Sequence, residues 1–192
     1  MKEITFVTGN PNKAKHASRL LDFPVVNHDV DLPEIQSLDL QEVVADKLKR
    51  AFEIIQMPVI VEDIALEFSE LKRIPGPFIK FFAQELGLEK LAQMLDGKSR
   101  KAIAKCVIGF TDGQHTEFFK GEQHGTIADF PRGKDGFGWD KIFVSDKFPD
   151  KTNAELNETE YAEYFTSIRR FDLLRSFLKS LNKCDEMEKI SR

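Results

Sequence analysis

The sequence predicts an α/β fold in one sizeable domain. Three observations carry this: short apolar runs alternate with helix-period segments through the first half, hairpin-like runs fill the second, and 41% of the 192 residues are hydrophobic, enough for a core. The first strand is Ile4-Thr5-Phe6-Val7. It breaks into the polar turn Thr8-Gly9-Asn10-Pro11-Asn12-Lys13, after which Ala14 to Leu21 reads as a helix with Ala17, Leu20 and Leu21 on its apolar side. Val25 to Val30 is a second strand, followed by the acidic, turn-like Asp31-Leu32-Pro33-Glu34. A longer helix spans about Leu40 to Ile55, with Val43, Val44, Lys47, Leu48, Ala51 and Ile55 at helical spacing, and Pro58 ends it. Val59-Ile60-Val61 is then a short, fully apolar strand that delivers Glu62 and Asp63 at its C-terminal end, where open α/β sheets place ligands.

Pro75-Gly76-Pro77 reads as a rigid turn, and Phe78 to Leu86 and Glu89 to Leu95 as two helices separated by Gly87. Ala102 to Thr111 and Thr116 to Lys120 are strands of a hairpin around Asp112-Gly113, and Glu122 to Phe130 is a third candidate strand. Pro131 to Asp140 is a glycine-rich loop that leads into Ile142-Phe143-Val144. One amphipathic helix follows, carrying Tyr161, Tyr164, Phe165, Ile168, Phe171, Leu174, Leu178 and Leu181 at steps of three and four. Residues 1–182 are expected to form the single domain, and 183–192 a polar, flexible tail.

The bulk properties exclude several function classes. No run approaches the roughly 20 apolar residues of a membrane span, and the Lys2-Glu3 start lacks a signal-peptide core, so the cytoplasm is expected. Net charge is −4 with acids and bases interspersed, which argues against a polymeric nucleic-acid partner. Cys106 lies in a strand-like run and Cys184 in the tail, so neither a disulfide nor a cysteine metal site is expected. His16, His28, His115 and His124 are scattered without ligand spacing, against zinc and histidine-based triads.

What remains is local anion chemistry. A strand feeding a glycine-containing turn and a helix N-terminus gathers backbone N–H groups, the positive dipole end and Lys13, and so can hold a phosphate. The turn lacks the second glycine and final hydroxyl of a P-loop, and an ordinary connection with a solvated lysine is its other reading. Adjacent carboxylates at Glu62-Asp63 suit a hard divalent metal shared with substrate phosphates, with Glu34 as a third oxygen ligand; a surface acidic pair is the alternative. Lys47 lies in an apolar stripe and either snorkels or points into a cleft, and Lys80 is equally ambiguous. Phe137 and Trp139 between glycines can stack on a base with Asp140 accepting from a ring N–H, or can simply pin the loop to the core.

Taken together, Thr8-Gly9-Asn10 with Lys13, Asp31-Leu32-Pro33-Glu34, Lys47, Val61-Glu62-Asp63, Pro75-Gly76-Pro77 with Lys80, Pro131-Arg132-Gly133 and Phe137-Gly138-Trp139-Asp140 resemble, in this order, the inosine triphosphate pyrophosphatase family. The resemblance implies an elongated two-lobed α/β fold with a central mixed sheet and a cleft, a homodimer, and Mg²⁺-dependent cleavage of a nucleoside triphosphate to the monophosphate and pyrophosphate. It implies that Asp63 is the general base and lies at the metal with Glu34 and Glu62. Thr8, Asn10, Lys13 and Lys47 would then cradle the triphosphate, Phe137 would stack on the base with Trp139-Asp140 completing that wall, and Gly9, Lys80 and Gly138 would also touch the substrate. The chain departs from the family pattern at Ile64, where Thr or Ser is usual, and at Glu163 and Ser167-Ile168-Arg169, where the family carries a lysine and a Ser-His-Arg triplet. Glu163 and Arg169 are therefore the residues expected at the base, with an altered or relaxed base preference; a nucleotide-binding protein without efficient turnover and a non-enzymatic interaction domain are the alternatives.

Overall fold

The computed structural model describes residues 3–9, 11–134 and 136–190, the side chains at 11, 12 and 182–190 excepted. Its strands are β1 (Ile4–Val7), β2 (Val25–His28), β3 (Val59–Phe68), β4 (Pro75–Gly76), β5 (Lys101–Thr111), β6 (Thr116–Ile127) and β7 (Phe143–Ser145). Its helices are α1 (Pro11–Leu21), α2 (Leu40–Ile55), α3 (Ile79–Gln93), α4 (Glu158–Ile168) and α5 (Phe171–Ile190). The strands form one mixed sheet in the order β2-β1-β3-β5-β6-β7, with β4 pairing β3. β1 runs parallel to β2 and β3, and the other pairings are antiparallel.

Alternation along β3 divides the core in two. Ile60, Leu66 and Phe68 pack with Ala14, Ala17 and Leu21 of α1 and Leu174 and Leu178 of α5. Val59, Val61 and Ala65 pack on the opposite face with Val44, Leu48 and Ala51 of α2. α2 starts where the sequence places it because the Asp39 carboxylate accepts from the Gln41 and Glu42 N–H groups and caps the helix. Among the described residues, no helix is long and apolar enough to cross a membrane, and Cys106 is free and buried.

Three elements differ from the sequence expectations. β3 does not stop at Val61 but runs ten residues, because its pairing with β5 continues from Val59 opposite Thr111 to Phe68 opposite Ala102. Its parallel pairing with β1 ends at Ile60, opposite Phe6, so Glu62 and Asp63 still lie beyond the parallel ladder. The segments on either side of Gly121 form one strand, β6, since the ladder to β5 passes unbroken through Cys106 opposite Gly121. The single C-terminal helix is two helices with a break at Arg169 (φ −96°, ψ 96°). The steps of three and four pass straight through this break, so periodicity cannot detect it. α5 itself runs on to Ile190, through the segment that the sequence sets apart as a tail. At Gly87 (φ 74°, ψ 159°) α3 is interrupted where two helices were expected.

Candidate active site

A cleft of about 570 Å³ opens where β1 ends beside β3, a volume that suits a small-molecule ligand. Thr8, Gly9 and Lys13 come from the turn after β1 and from α1, Glu34 from the segment after β2, and Asp63 and Ile64 from β3. Pro77, Lys80, Phe81 and Gln84 form a second wall, and Phe137, Gly138, Trp139, Asp140, Tyr161, Tyr164, Ile168 and Arg169 a third. Asn10 lies outside the described residues. Apart from it, the expected substrate-binding residues Thr8, Gly9, Lys13 and Lys80 line this cleft, and Lys47 reaches its carboxylates from α2.

Glu62 and Asp63 are neighbours in sequence but not in space, because successive strand residues point to opposite faces. Glu62 faces α1 and the α4–α5 break. Its Oε2 accepts from Arg169 Nε at 3.1 Å, and its Oε1 lies 3.1 Å from Lys13 Nζ, an ion pair off hydrogen-bond geometry. Burial opposes the Glu62 carboxylate charge, but Arg169 and Lys13 outweigh it and hold its pKa below the ordinary value. Both Glu62 oxygens therefore face cations of the protein, whereas Glu34 and Asp63 share Lys47.

Asp63 faces α2 instead. Its Oδ1 accepts from the Ile64 N–H at 2.8 Å, and its Oδ2 is 3.4 Å from Lys47 Nζ, which also donates to Glu34 Oε1 at 2.8 Å. Burial raises the Asp63 pKa, and nearby Glu34 adds to the shift while Lys47 and the Ile64 N–H oppose it. A carboxylate so raised is a better proton acceptor than an ordinary aspartate. For Lys47, burial disfavours the ammonium, but Asp63 and Glu34 prevail and its pKa is raised.

These carboxylates also bear on a metal. Glu34 and Asp63 are hard oxygen donors converging on one cationic head, so the position accommodates positive charge. Among the described residues no group of three or more His, Cys, Asp or Glu side chains could hold a metal. A pair suits an ion whose remaining ligands are substrate phosphates and water, as Mg²⁺ prefers, rather than one caged by protein.

The far end of the cleft is aromatic. Phe137 is 65% exposed, while Trp139 and Asp140 are buried. Asp140 accepts from the Phe137 N–H at 2.7 Å, from Tyr161 Oη at 3.2 Å and from Asn153 Nδ2 at 3.3 Å, which ties the loop to α4. Gly136 (φ 106°) allows the turn, since a Cβ there would sit 2.7 Å from the Asp140 Cβ. Burial and then Asp140 push the Tyr161 hydroxyl up to about 12, so it stays a proton donor. In the sequence Tyr161 and Tyr164 read only as members of an apolar helix stripe. Their hydroxyls at i and i+3 on an apolar stripe were the available signal, since a buried hydroxyl needs a partner.

The two base-reading departures separate. Ile168 lines the cleft, but Glu163 does not: it is exposed and its Oε1 pairs with Lys147 Nζ at 2.6 Å. Arg169, in the helix break, lies over the Phe165 ring with its Cζ 4.1 Å from the centroid and reaches Glu62. Burial works against the Arg169 charge, and Glu62 more than compensates, raising its pKa.

Comparison with known proteins gives consistent results. The Ham1 family model matches residues 4–175. An inosine triphosphate pyrophosphatase of Scheffersomyces stipitis is 39% identical over 94% of this chain and 100% of its own length. Its counterpart in Emericella nidulans is 42% identical over 83% of this chain and 87% of its own. The Ham1 protein structure of Staphylococcus aureus superposes with a TM-score of 0.82 at 31% identity, covering 93% of this chain and 99% of that one. A HAM1 protein structure from Coxiella burnetii, 24% identical with a TM-score of 0.80, shares the fold over 94% of this chain and 100% of that one.

Proposed function

The chain belongs to the Ham1 family, and from that premise we propose that it hydrolyses a nucleoside triphosphate, of the deaminated purine class, to the monophosphate and pyrophosphate. The observation that carries this reading is the charge layout of the cleft. Lys13 lines it together with Glu34 and Asp63, Lys47 pairs with both of those carboxylates, and Phe137, Trp139, Tyr161 and Tyr164 give it an aromatic wall.

The triphosphate lies along Thr8 and Gly9 before the N-terminus of α1, where backbone N–H groups and the helix dipole favour negative charge, and Asn10 of the same sequence motif joins in holding it. Lys13, Lys47 and Lys80 neutralise it. Phe137 stacks on the base against Trp139 and Asp140, which aligns the α-phosphate with Asp63. Asp63 accepts the proton of the attacking water as that water bonds to the α-phosphorus, and pyrophosphate departs. Glu34 and Asp63 would hold Mg²⁺, which neutralises phosphate charge when bound. The residues do the rest by positioning and electrostatics, and no covalent intermediate is required.

The same reading makes the protein a cytoplasmic homodimer; sedimentation would test the dimer, and cell fractionation the location. Its substrate chemistry is tested by measuring pyrophosphate release over inosine, xanthosine, guanosine and adenosine triphosphates, with Mg²⁺ and with a chelator. Release from at least one purine triphosphate that stops with the chelator supports it. Tight nucleotide binding without release would identify a nucleotide-binding protein instead.

A further inference from the structure

Lys47 is an unusual neighbour for two carboxylates assigned to a metal. It emerges from the apolar stripe of α2, between Val44 and Leu48, and its side chain is only 17% exposed. Its stem lies along the core and its head stands between Glu34 and Asp63, at 2.8 and 3.4 Å. Two carboxylates sharing one position repel unless a cation sits between them, and here the ammonium is that cation. A divalent ion drawn by the same oxygens must compete with it.

We infer that Lys47 is the resident counter-ion of the metal position: a divalent cation entering between Glu34 and Asp63 displaces the ammonium, which then turns to the phosphates. The exchange rests on the reading of Glu34 and Asp63 as the metal pair. It gives the two carboxylates a defined arrangement before substrate arrives, and it links metal entry to the release of a phosphate-binding charge. Lysine suits this task better than arginine. Its head is a single point charge on a flexible stem, whereas a guanidinium would grip the carboxylates with a planar fork and resist displacement.

The test is Mn²⁺ binding without nucleotide, followed by electron paramagnetic resonance on the full chain. Lys47→Met should bind Mn²⁺ at least roughly tenfold more tightly than the natural protein, because the competing charge is gone. Lys47→Arg should bind it more weakly. In the natural protein labelled with ¹⁵N-lysine, the Lys47 Nζ resonance should move when Mg²⁺ is added alone, a readout that needs no variant to fold. Equal or weaker Mn²⁺ binding by a folded Lys47→Met, or an Nζ resonance unmoved by saturating Mg²⁺, overturns the exchange and leaves the proposed hydrolysis standing. Mn²⁺ affinity unchanged in both Glu34→Gln and Asp63→Asn would overturn the exchange together with the metal pair beneath it.

Discussion

Removing the Glu62 carboxylate leaves two cations without their shared partner, since its side chain is 1% exposed between Lys13 and Arg169. Glu62→Gln should therefore destabilise the fold by about 3–5 kcal/mol, the range for breaking a buried pair. The effect depends on pH in a defined direction. The folded pKa of Glu62 lies below its ordinary 4.5, so its contribution is fully present above that value and is lost as pH falls through the lower folded one. Thermal midpoints of the two proteins measured from neutral pH downwards should converge in acid; a constant gap would show that the carboxylate charge contributes nothing. Two other residues separate packing from base reading. Glu163 points to Lys147 outside the cleft, so Glu163→Lys should leave the ratio of kcat/KM for inosine and adenosine triphosphates unchanged. Ile168 lies in the wall, so Ile168→His, which adds a donor, should raise that ratio by about tenfold. The opposite pattern would put Glu163 at the base. The sequence places both positions on one helical segment, but it cannot tell which of them faces the cleft.

Among the elements, the break between α4 and α5 brings Ile168 and Arg169 to the cleft. It lets α4 end on β6, where Gly121 leaves room: a Cβ there would lie 2.0 Å from the Ile168 carbonyl oxygen. Gly121→Ala should push α4 off the sheet, with about 1–3 kcal/mol of lost stability. It should also lower kcat/KM, because Ile168 and Arg169 ride on that helix end. Calorimetry beside steady-state kinetics checks both, and wild-type values would show that the helix end is not held there. The sequence could not reveal this. The glycine looked like a boundary between two strands, and the apolar period ran on through Arg169. By contrast β1, α1, α2 and the β5–β6 hairpin were legible because local signals agreed with tertiary structure: an apolar run, helical spacing, and an Asp112-Gly113 turn.

At the scale of the molecule, one mixed sheet brings together residues more than a hundred positions apart, as Glu62 and Arg169 illustrate. The segments that line the cleft were visible in the sequence, since turns, prolines and paired charges mark themselves locally. Their partners were not, because which face of β3 each carboxylate takes depends on parity within a strand whose length only pairing with β5 decides. That parity gives Asp63 to Lys47 and Glu34, and Glu62 to Lys13 and Arg169, so in the proposed mechanism one carboxylate acts on water while the other ties α1 to the end of α4. The most direct test is ³¹P nuclear magnetic resonance of inosine triphosphate with Mg²⁺, run on the natural protein and on Asp63→Asn. The account predicts inosine monophosphate and pyrophosphate in equal amounts, with the rate falling by about 10²–10⁴ in Asp63→Asn while its fold is retained. Inosine diphosphate with orthophosphate, or undiminished turnover by Asp63→Asn, would contradict it.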